Sequence, residues 1–210
     1  MSMMLASIFK KTLMAITGLA WFAFLIGHLS GNLLLFKGAE EFNAYAEFLE
    51  GTGALLYIAE IGLIALLATH IYSGLRVSVE NRQARPRDYD VKKTNGKATA
   101  FSRSMLVGGI LIVVFIVTHV AMFKFGDHGG EGGLYGLVMR TFQNPLMVAW
   151  YILAMVALGM HLSHGLGSAF QTLGVSKTVW RARLHSAGMV VGWVIAGGFA
   201  FLPIWAFIAR

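Results

Sequence analysis

Four histidines each fall in a separate long apolar segment of the chain: His28, His70, His119 and His161. A fifth, His164, follows His161 by three residues and shares its helical face. Ionisable side chains in such segments are costly in a lipid bilayer and normally face the interior of a helical bundle or an aqueous cavity. A neutral imidazole binds a transition metal or relays protons there, whereas the simpler alternative for any one residue is an interhelical hydrogen bond.

Five apolar segments are long enough to cross a bilayer, which requires about 20 helical residues. They cover residues 12–36, 54–78, 104–125, 143–170 and 186–208. The blocks are continuous rather than short and alternating, which argues against a membrane β-barrel. The first block has no convincing small-residue cleavage site, so we interpret it as a retained helix. We therefore predict an all-α integral membrane bundle of five transmembrane helices, forming a single domain over residues 1–210.

The composition excludes several kinds of site in this chain. It is 57% hydrophobic and 13% charged, far more apolar than a soluble domain. It contains no cysteine. Disulfides, zinc–thiolate sites, iron–sulfur clusters and covalently attached c-type haem are therefore excluded.

The charged residues predict the orientation in the membrane. One side carries 13 of the 17 basic residues, most of them in the loop 76–103, and the other side carries only Lys37, Lys124, Arg140 and Arg210. The positive-inside rule then places the N-terminus in the cytoplasm and the C-terminus outside. Contact with anionic lipid explains this basic surface, so the net charge of +7 does not require nucleic-acid binding.

The depth of each histidine follows from the direction of its helix. His28 lies roughly 24 Å along the first span, near the outer face. His119 also falls near the outer face, whereas His70 falls near the inner face with His161 or His164. Two axial imidazoles on opposite sides of a macrocycle are what a six-coordinate b-type haem requires, and zinc would need three or four converging ligands. The sequence therefore predicts two haems at two depths.

Other polar residues are candidates for contacts with the cofactor or the substrate. Cationic or polar groups near the inner boundary could meet haem propionates: Lys11, Arg76, Arg103, Arg181 and His164. Asn32, Asn43 and Glu47 at the outer end carry polar groups able to hydrogen-bond a ligand or pass protons, and Glu60 is the acidic residue clearly inside a span. The alternatives are snorkelling cations, a helix cap at Asn32, and solvated positions on a short surface helix for Asn43 and Glu47.

Short motifs accompany the histidines along nearly the whole chain. They are residues 7–11 (SIFKK), 17–19 (TGL), 27–32 (GHLSGN), 42–46 (FNAYA), Glu60, His70, and 81–86 (NRQARP) with Tyr89. Each motif is loose alone, but together with histidine separations of 42, 49 and 42 residues they are specific. The chain resembles the diheme cytochrome b membrane anchor of succinate:quinone oxidoreductases, the succinate dehydrogenases and fumarate reductases.

The resemblance implies ligands, partners and an activity. It implies two haem b groups held by His28 with His119 and by His70 with His161, which is the first polar position of its stretch. It implies a flavoprotein and an iron–sulfur subunit on the cytoplasmic face, which we expect to dock on the loop 76–103. Those partners carry the dicarboxylate chemistry, while this chain passes electrons to a quinone, which we expect to be menaquinone. We expect the quinone to meet Asn32, Asn43, Glu47 or Glu60. The resemblance also implies the cytoplasmic membrane of a bacterium or archaeon.

Two other functions are compatible with parts of this pattern. A diheme anchor of a respiratory hydrogenase, formate dehydrogenase or nitrate reductase shares the haem chemistry but not the combination of motifs. A small transporter or channel would use histidines along a continuous polar route, whereas these histidines occupy two separate levels. A pyridine haemochrome spectrum distinguishes the haem proteins from the transporter.

Overall fold

In a computed structural model, the chain is a bundle of α-helices, described for residues 2–83, 100–174 and 180–209. The helices are α1 (Ser2–Asn32), α2 (Ala39–Gly51), α3 (Ala54–Gln83), α4 (Ala100–Phe123), α5 (Gly133–Phe142), α6 (Pro145–Thr172) and α7 (Arg181–Ile208). A 3-10 turn over Leu33–Lys37 extends α1. No β-strand occurs in these three ranges, so the predicted all-α class is confirmed.

Five helices in the described ranges are long and apolar enough to cross a membrane: α1, α3, α4, α6 and α7. The five predicted spans are therefore confirmed, with shifted ends. The largest shift is at α1, which begins ten residues before the predicted segment. Its Lys10 forms an ion pair with Glu80 on α3, so the helix accommodates charge before the apolar block. The loop predicted to dock a partner falls largely on residues 84–99, outside the described residues.

Two shorter helices, α2 and α5, lie at the end of the bundle where α1 ends and α3 begins. Gly38 and Gly53 make the turns before and after α2, with φ of 108° and 57°, values that favour glycine over other residues. Asn144 starts α6, because its side chain accepts a hydrogen bond from the Leu146 N–H at 2.9 Å and Pro145 occupies the first helical turn. Helix α5 was not predicted from the sequence.

Helix α6 is the centre of the packing. It contacts α1, α4 and α7, and it supplies Ala154, Met155, Leu158 and Leu162 to the main apolar cluster. Among the described helices, α3 packs closely only on α1. Its outer face carries large exposed apolar side chains such as Ile58, Ile61 and Ile64. Exposed apolar residues on a span are those expected to face lipid.

The four histidine-bearing helices form an open square. Three sides are closely packed, namely α3 with α1, α1 with α6, and α6 with α4. Helices α3 and α4 make few backbone contacts along the fourth side. An ion pair between Glu60 on α3 and Lys124, just beyond α4, bridges that side at one end. The histidines face each other across the two diagonals of the square, α1 with α4 and α3 with α6.

Candidate functional site

His28 and His119 meet across the diagonal between α1 and α4. Their ring centres lie 5.8 Å apart with the ring planes at 84°. Phe24 stacks on His28 at 5.2 Å, and Phe115 stacks on His119 at 5.6 Å. The two residues predicted to share the outer level are therefore in direct ring contact within an aromatic environment.

His70 and His161 meet across the other diagonal, between α3 and α6. Their ring centres lie 6.1 Å apart, and the ring planes make an angle of 70°. Gly18 on α1 gives the His70 ring its space, because a Cβ there would lie 3.0 Å from Cε1 of that ring. The two residues predicted to share the inner level are therefore also in contact.

Both separations match two imidazoles on one metal ion. A metal–imidazole bond of about 2 Å, with each ring centre about 1 Å behind its nitrogen, separates two axial ring centres by about 6 Å. Among the described residues, no group of three or more His, Asp or Glu side chains is arranged to hold a metal ion. The two pairs of imidazoles therefore offer nitrogen donors two at a time, an arrangement that suits haem iron better than zinc.

Several buried polar atoms around the pairs fit a bound polar cofactor. Four have no hydrogen-bond partner within the described ranges: Nε1 of Trp21, Oγ of Ser73, and Nδ1 of His161 and of His164. Buried polar groups are rarely left unpaired, and an unmade bond there costs about 1–3 kcal/mol. A group that carries carboxylates and metal, or ordered water, would satisfy such atoms.

The inner histidine His70 is oriented by α1. Its Nδ1 lies 3.1 Å from the carbonyl oxygen of Met14 and 3.3 Å from Oγ1 of Thr17. The carbonyl can only accept, so Nδ1 is the protonated nitrogen in this contact. Nε2 is then left with its lone pair, the form that a metal ligand requires.

His164 makes a different set of contacts from His161. Its Nε2 lies 3.2 Å from Oγ of Ser168, one turn further along α6. The ring that faces His70 across the diagonal is that of His161. The sequence alone left both residues open at the inner level, and the structure brings His161 to His70.

The cations predicted to meet propionates are spread around the inner end. Lys11 lines an open surface cleft of about 340 Å³ together with Ile8, Ser168, Gln171 and Thr172. Arg76 is exposed on α3, where its Nε donates to the Tyr72 hydroxyl at 3.2 Å. Arg181 is exposed at the first residue of α7. The side chain of Arg103 lies outside the described residues. The structure therefore places Lys11 at a surface cleft but does not gather these cations at one place.

The residues predicted to meet quinone have separate surroundings. Asn32 donates from its side chain to the His28 carbonyl at 2.7 Å. Asn43 joins α2 to α5, because its Nδ2 donates to the Gly132 carbonyl and its Oδ1 accepts from the Tyr135 N–H, both at 2.9 Å. Glu47 is exposed on α2, and Glu60 pairs with Lys124. Their roles toward quinone stay predictions.

Two contacts of the histidines were not predicted from the sequence. Tyr151 places its hydroxyl 3.1 Å from Nδ1 of His119, and Thr17 lies beside His70. Tyr151 follows Trp150 near the start of an apolar segment, where aromatic residues are expected to mark the membrane interface. Thr17 belongs to the motif at residues 17–19, but that motif does not indicate a contact with His70. Only the helix-to-helix arrangement reveals these pairs.

The fold and the site together define a class: the chain is a multi-pass, all-α membrane protein whose interior histidines form two pairs at two depths. Over 191 residues it is 26% identical to the succinate dehydrogenase cytochrome b558 subunit of Bacillus subtilis (strain 168), across 88% of this chain and 89% of that protein. No protein-family model matches the chain, and no solved structure matches it.

Proposed function

We propose that the chain is the cytochrome b membrane anchor of a succinate dehydrogenase or fumarate reductase, with two b haems. The observation that carries the proposal is the meeting of four histidines from four spans in two diagonal pairs, at ring-centre distances of 5.8 and 6.1 Å. The similarity to a succinate dehydrogenase cytochrome b558 subunit over most of both chains supports it.

In this proposal His28 and His119 would hold the outer haem, and His70 and His161 would hold the inner one. Haem held in this way would supply one-electron transfer between ferric and ferrous iron. The chain's own contribution is to supply nitrogen ligands and, at the outer pair, an aromatic environment made by Phe24 and Phe115. Met14 and Thr17 keep His70 in the tautomer that binds metal.

The resemblance to the succinate:quinone oxidoreductase anchors implies the partners, and the asymmetry of charge indicates the side on which they would dock. With the N-terminus in the cytoplasm, the basic side of the bundle faces the cytoplasm, and a flavoprotein and an iron–sulfur subunit would dock there. Electrons would enter at the inner pair and leave to a quinone, menaquinone in our proposal. Because the chain has no cysteine, the iron–sulfur clusters must belong to another subunit.

Purification of the tagged chain from its native membrane tests this function directly. We expect a pyridine haemochrome spectrum of haem b at two haems per chain, together with a flavoprotein and an iron–sulfur protein in equal amounts. The complex should reduce quinone with succinate as the electron donor. Copurification of haem b with hydrogenase, formate dehydrogenase or nitrate reductase subunits would reject the assignment to succinate dehydrogenase or fumarate reductase but would support a cytochrome b. A chain that purifies without haem would reject both assignments.

A further inference from the structure

Tyr151 is a buried tyrosine whose hydroxyl lies 3.1 Å from Nδ1 of His119. Its ring is held edge-on by Phe115 and Phe142, with ring centres at 4.9 and 4.8 Å and interplanar angles of 83° in both cases. Phe123 packs against it at 6.2 Å. Because three aromatic rings surround the phenol, the direction of its hydroxyl is fixed by packing as well as by the hydrogen bond.

The backbone beside this contact is held independently. Trp150 donates from Nε1 to Oγ1 of Thr118 at 3.2 Å, one residue before the Tyr151–His119 contact on each helix. Interhelical hydrogen bonds of this kind contribute to association in membranes. The Thr118–Trp150 bond therefore keeps α4 and α6 in register when the Tyr151 hydroxyl is removed.

The two histidine pairs differ in what contacts Nδ1. His70 has two acceptors on α1, the Met14 carbonyl and the Thr17 hydroxyl. His119 has the Tyr151 hydroxyl. A carbonyl can only accept, so the Met14 contact requires a proton on Nδ1 of His70. A hydroxyl can accept or donate, so the Tyr151 contact fixes the tautomer of His119 only once Nε2 of His119 binds metal.

We infer that Tyr151 is a positioning residue for the outer haem, whose hydroxyl accepts the Nδ1–H of His119 and so orients Nε2 as the iron ligand. This inference rests on the proposed function. A hydrogen bond from Nδ1–H makes the ligating nitrogen more basic, and a more basic ligand stabilises ferric over ferrous iron. Tyr151 thus holds the midpoint potential of the outer haem below the value that it would have without this bond.

Replacement of Tyr151 by Phe tests the inference, because it removes one oxygen and retains the aromatic packing. In the purified complex, optical redox titration should show a higher midpoint potential for the outer haem and an unchanged potential for the inner haem. The His70→Ala complex, which we expect to retain only the outer haem, identifies which of the two transitions is the outer one. Loss of the outer haem alone in Tyr151→Phe would also support the positioning role.

Two control variants separate the hydrogen bond from packing and from general effects. Tyr135→Phe removes a hydroxyl from a ring that packs on Phe42 at the same end of the bundle, and it should change neither potential. Phe142→Leu keeps the Tyr151 hydroxyl but removes one of the three rings that direct it, so it should raise the outer potential less than Tyr151→Phe does. A larger rise in Phe142→Leu than in Tyr151→Phe would mean that packing rather than the hydroxyl sets the potential, and it would overturn the inference.

The remaining outcomes are also decisive. Unchanged potentials in Tyr151→Phe, equal shifts of both haems, or loss of both haems would each overturn the positioning role. These results concern Tyr151 alone, because the wild-type complex would still contain its two haems and partner subunits. A wild-type chain that purifies without haem would instead reject the proposed function.

Discussion

His70 and His161 lie with ring centres 6.1 Å apart, although their helices, α3 and α6, make few backbone contacts with each other. The same is true of His28 and His119 on α1 and α4. In both cases the imidazoles reach across the interior of the bundle from helices that stand apart. A planar cofactor between helices needs such separation, whereas a hydrogen-bonded helix pair would bring the backbones together.

Replacement of His70 by Ala should remove the inner haem and leave the outer one. The physical reason is that the two pairs share no residue, so the change removes a proposed ligand of the inner haem and none of the outer one. Haem content and the low-spin optical spectrum of the purified complex measure the result. Retention of two haems with normal spectra would contradict the pairing.

The matched control for this prediction is His164→Ala. His164 lies three residues from His161 on the same helix, but its Nε2 contacts Ser168. We therefore expect two haems in this variant and, at most, a small change in the inner haem spectrum. Loss of the inner haem in His164→Ala, but not in His161→Ala, would exchange the roles of the two histidines.

The spans and the histidine levels could be predicted because they depend on local quantities. An apolar block of about 20 residues fixes a span, and a rise of about 1.5 Å per residue fixes depth along it. Those two numbers were enough to group His28 with His119 and His70 with the end of α6 that carries His161 and His164. They could not choose between His161 and His164, because one helical turn changes depth very little.

The remaining features depend on how helices are arranged around each other. The sequence does not specify that α3 packs closely on α1 alone, that Glu60 finds Lys124, or that Tyr151 faces His119. Helix α5 was missed because its glycine-rich start and short length resemble a loop, and its position depends on Asn43, some 90 residues earlier. Long-range contacts of this kind have no periodic signature in the chain.

Gly192 leaves no room for a side chain in the unshifted structure, because α7 packs on α6 at that point. A Cβ at Gly192 would lie 2.9 Å from the backbone N of Ser163, and backbone cannot move aside without shifting a helix. We expect Gly192→Ala to lower the stability of the purified protein by about 1–3 kcal/mol. Gly197→Ala is the matched control, since a Cβ there meets nothing within 4 Å; equal thermal stability of the two variants would contradict the packing argument.

The ion pair between Glu60 and Lys124 bridges the open side between α3 and α4. Both side chains are about one-third exposed, so we expect a coupling energy of roughly 0.5–1 kcal/mol in a double-mutant cycle of Glu60→Gln and Lys124→Gln. If Glu60 also passes protons to quinone, Glu60→Gln should slow quinone-linked turnover more than Lys124→Gln does. Equal effects of the two variants on turnover would mean that Glu60 acts only through its ion pair with Lys124.

Replacement of Asn43 by Leu should loosen the contact between α2 and α5. Two hydrogen bonds to backbone are lost, at about 0.5–1.5 kcal/mol each, and the variant should be correspondingly less stable in a detergent melt. Haem content should be retained, because Asn43 contacts α5 rather than a histidine. Ala44, an exposed neighbour on α2, provides the matched control as Ala44→Leu; an equal loss of stability there would mean that the hydrogen bonds are not the cause.

Glu47 provides the cleaner test of a quinone site at the outer end, because it is exposed on α2 and its neutralisation should not disturb packing. Two haems in series are useful if electrons must reach the outer half, since a quinone at the inner surface could be served by the inner haem alone. We therefore expect Glu47→Gln to slow succinate–quinone turnover several-fold, while haem content and succinate oxidation by a soluble artificial acceptor stay unchanged. The same assays applied to Arg76→Gln and His164→Ala at the inner end should show normal quinone turnover. If Glu47→Gln turns over quinone normally and the inner variants do not, the quinone binds at the inner level instead.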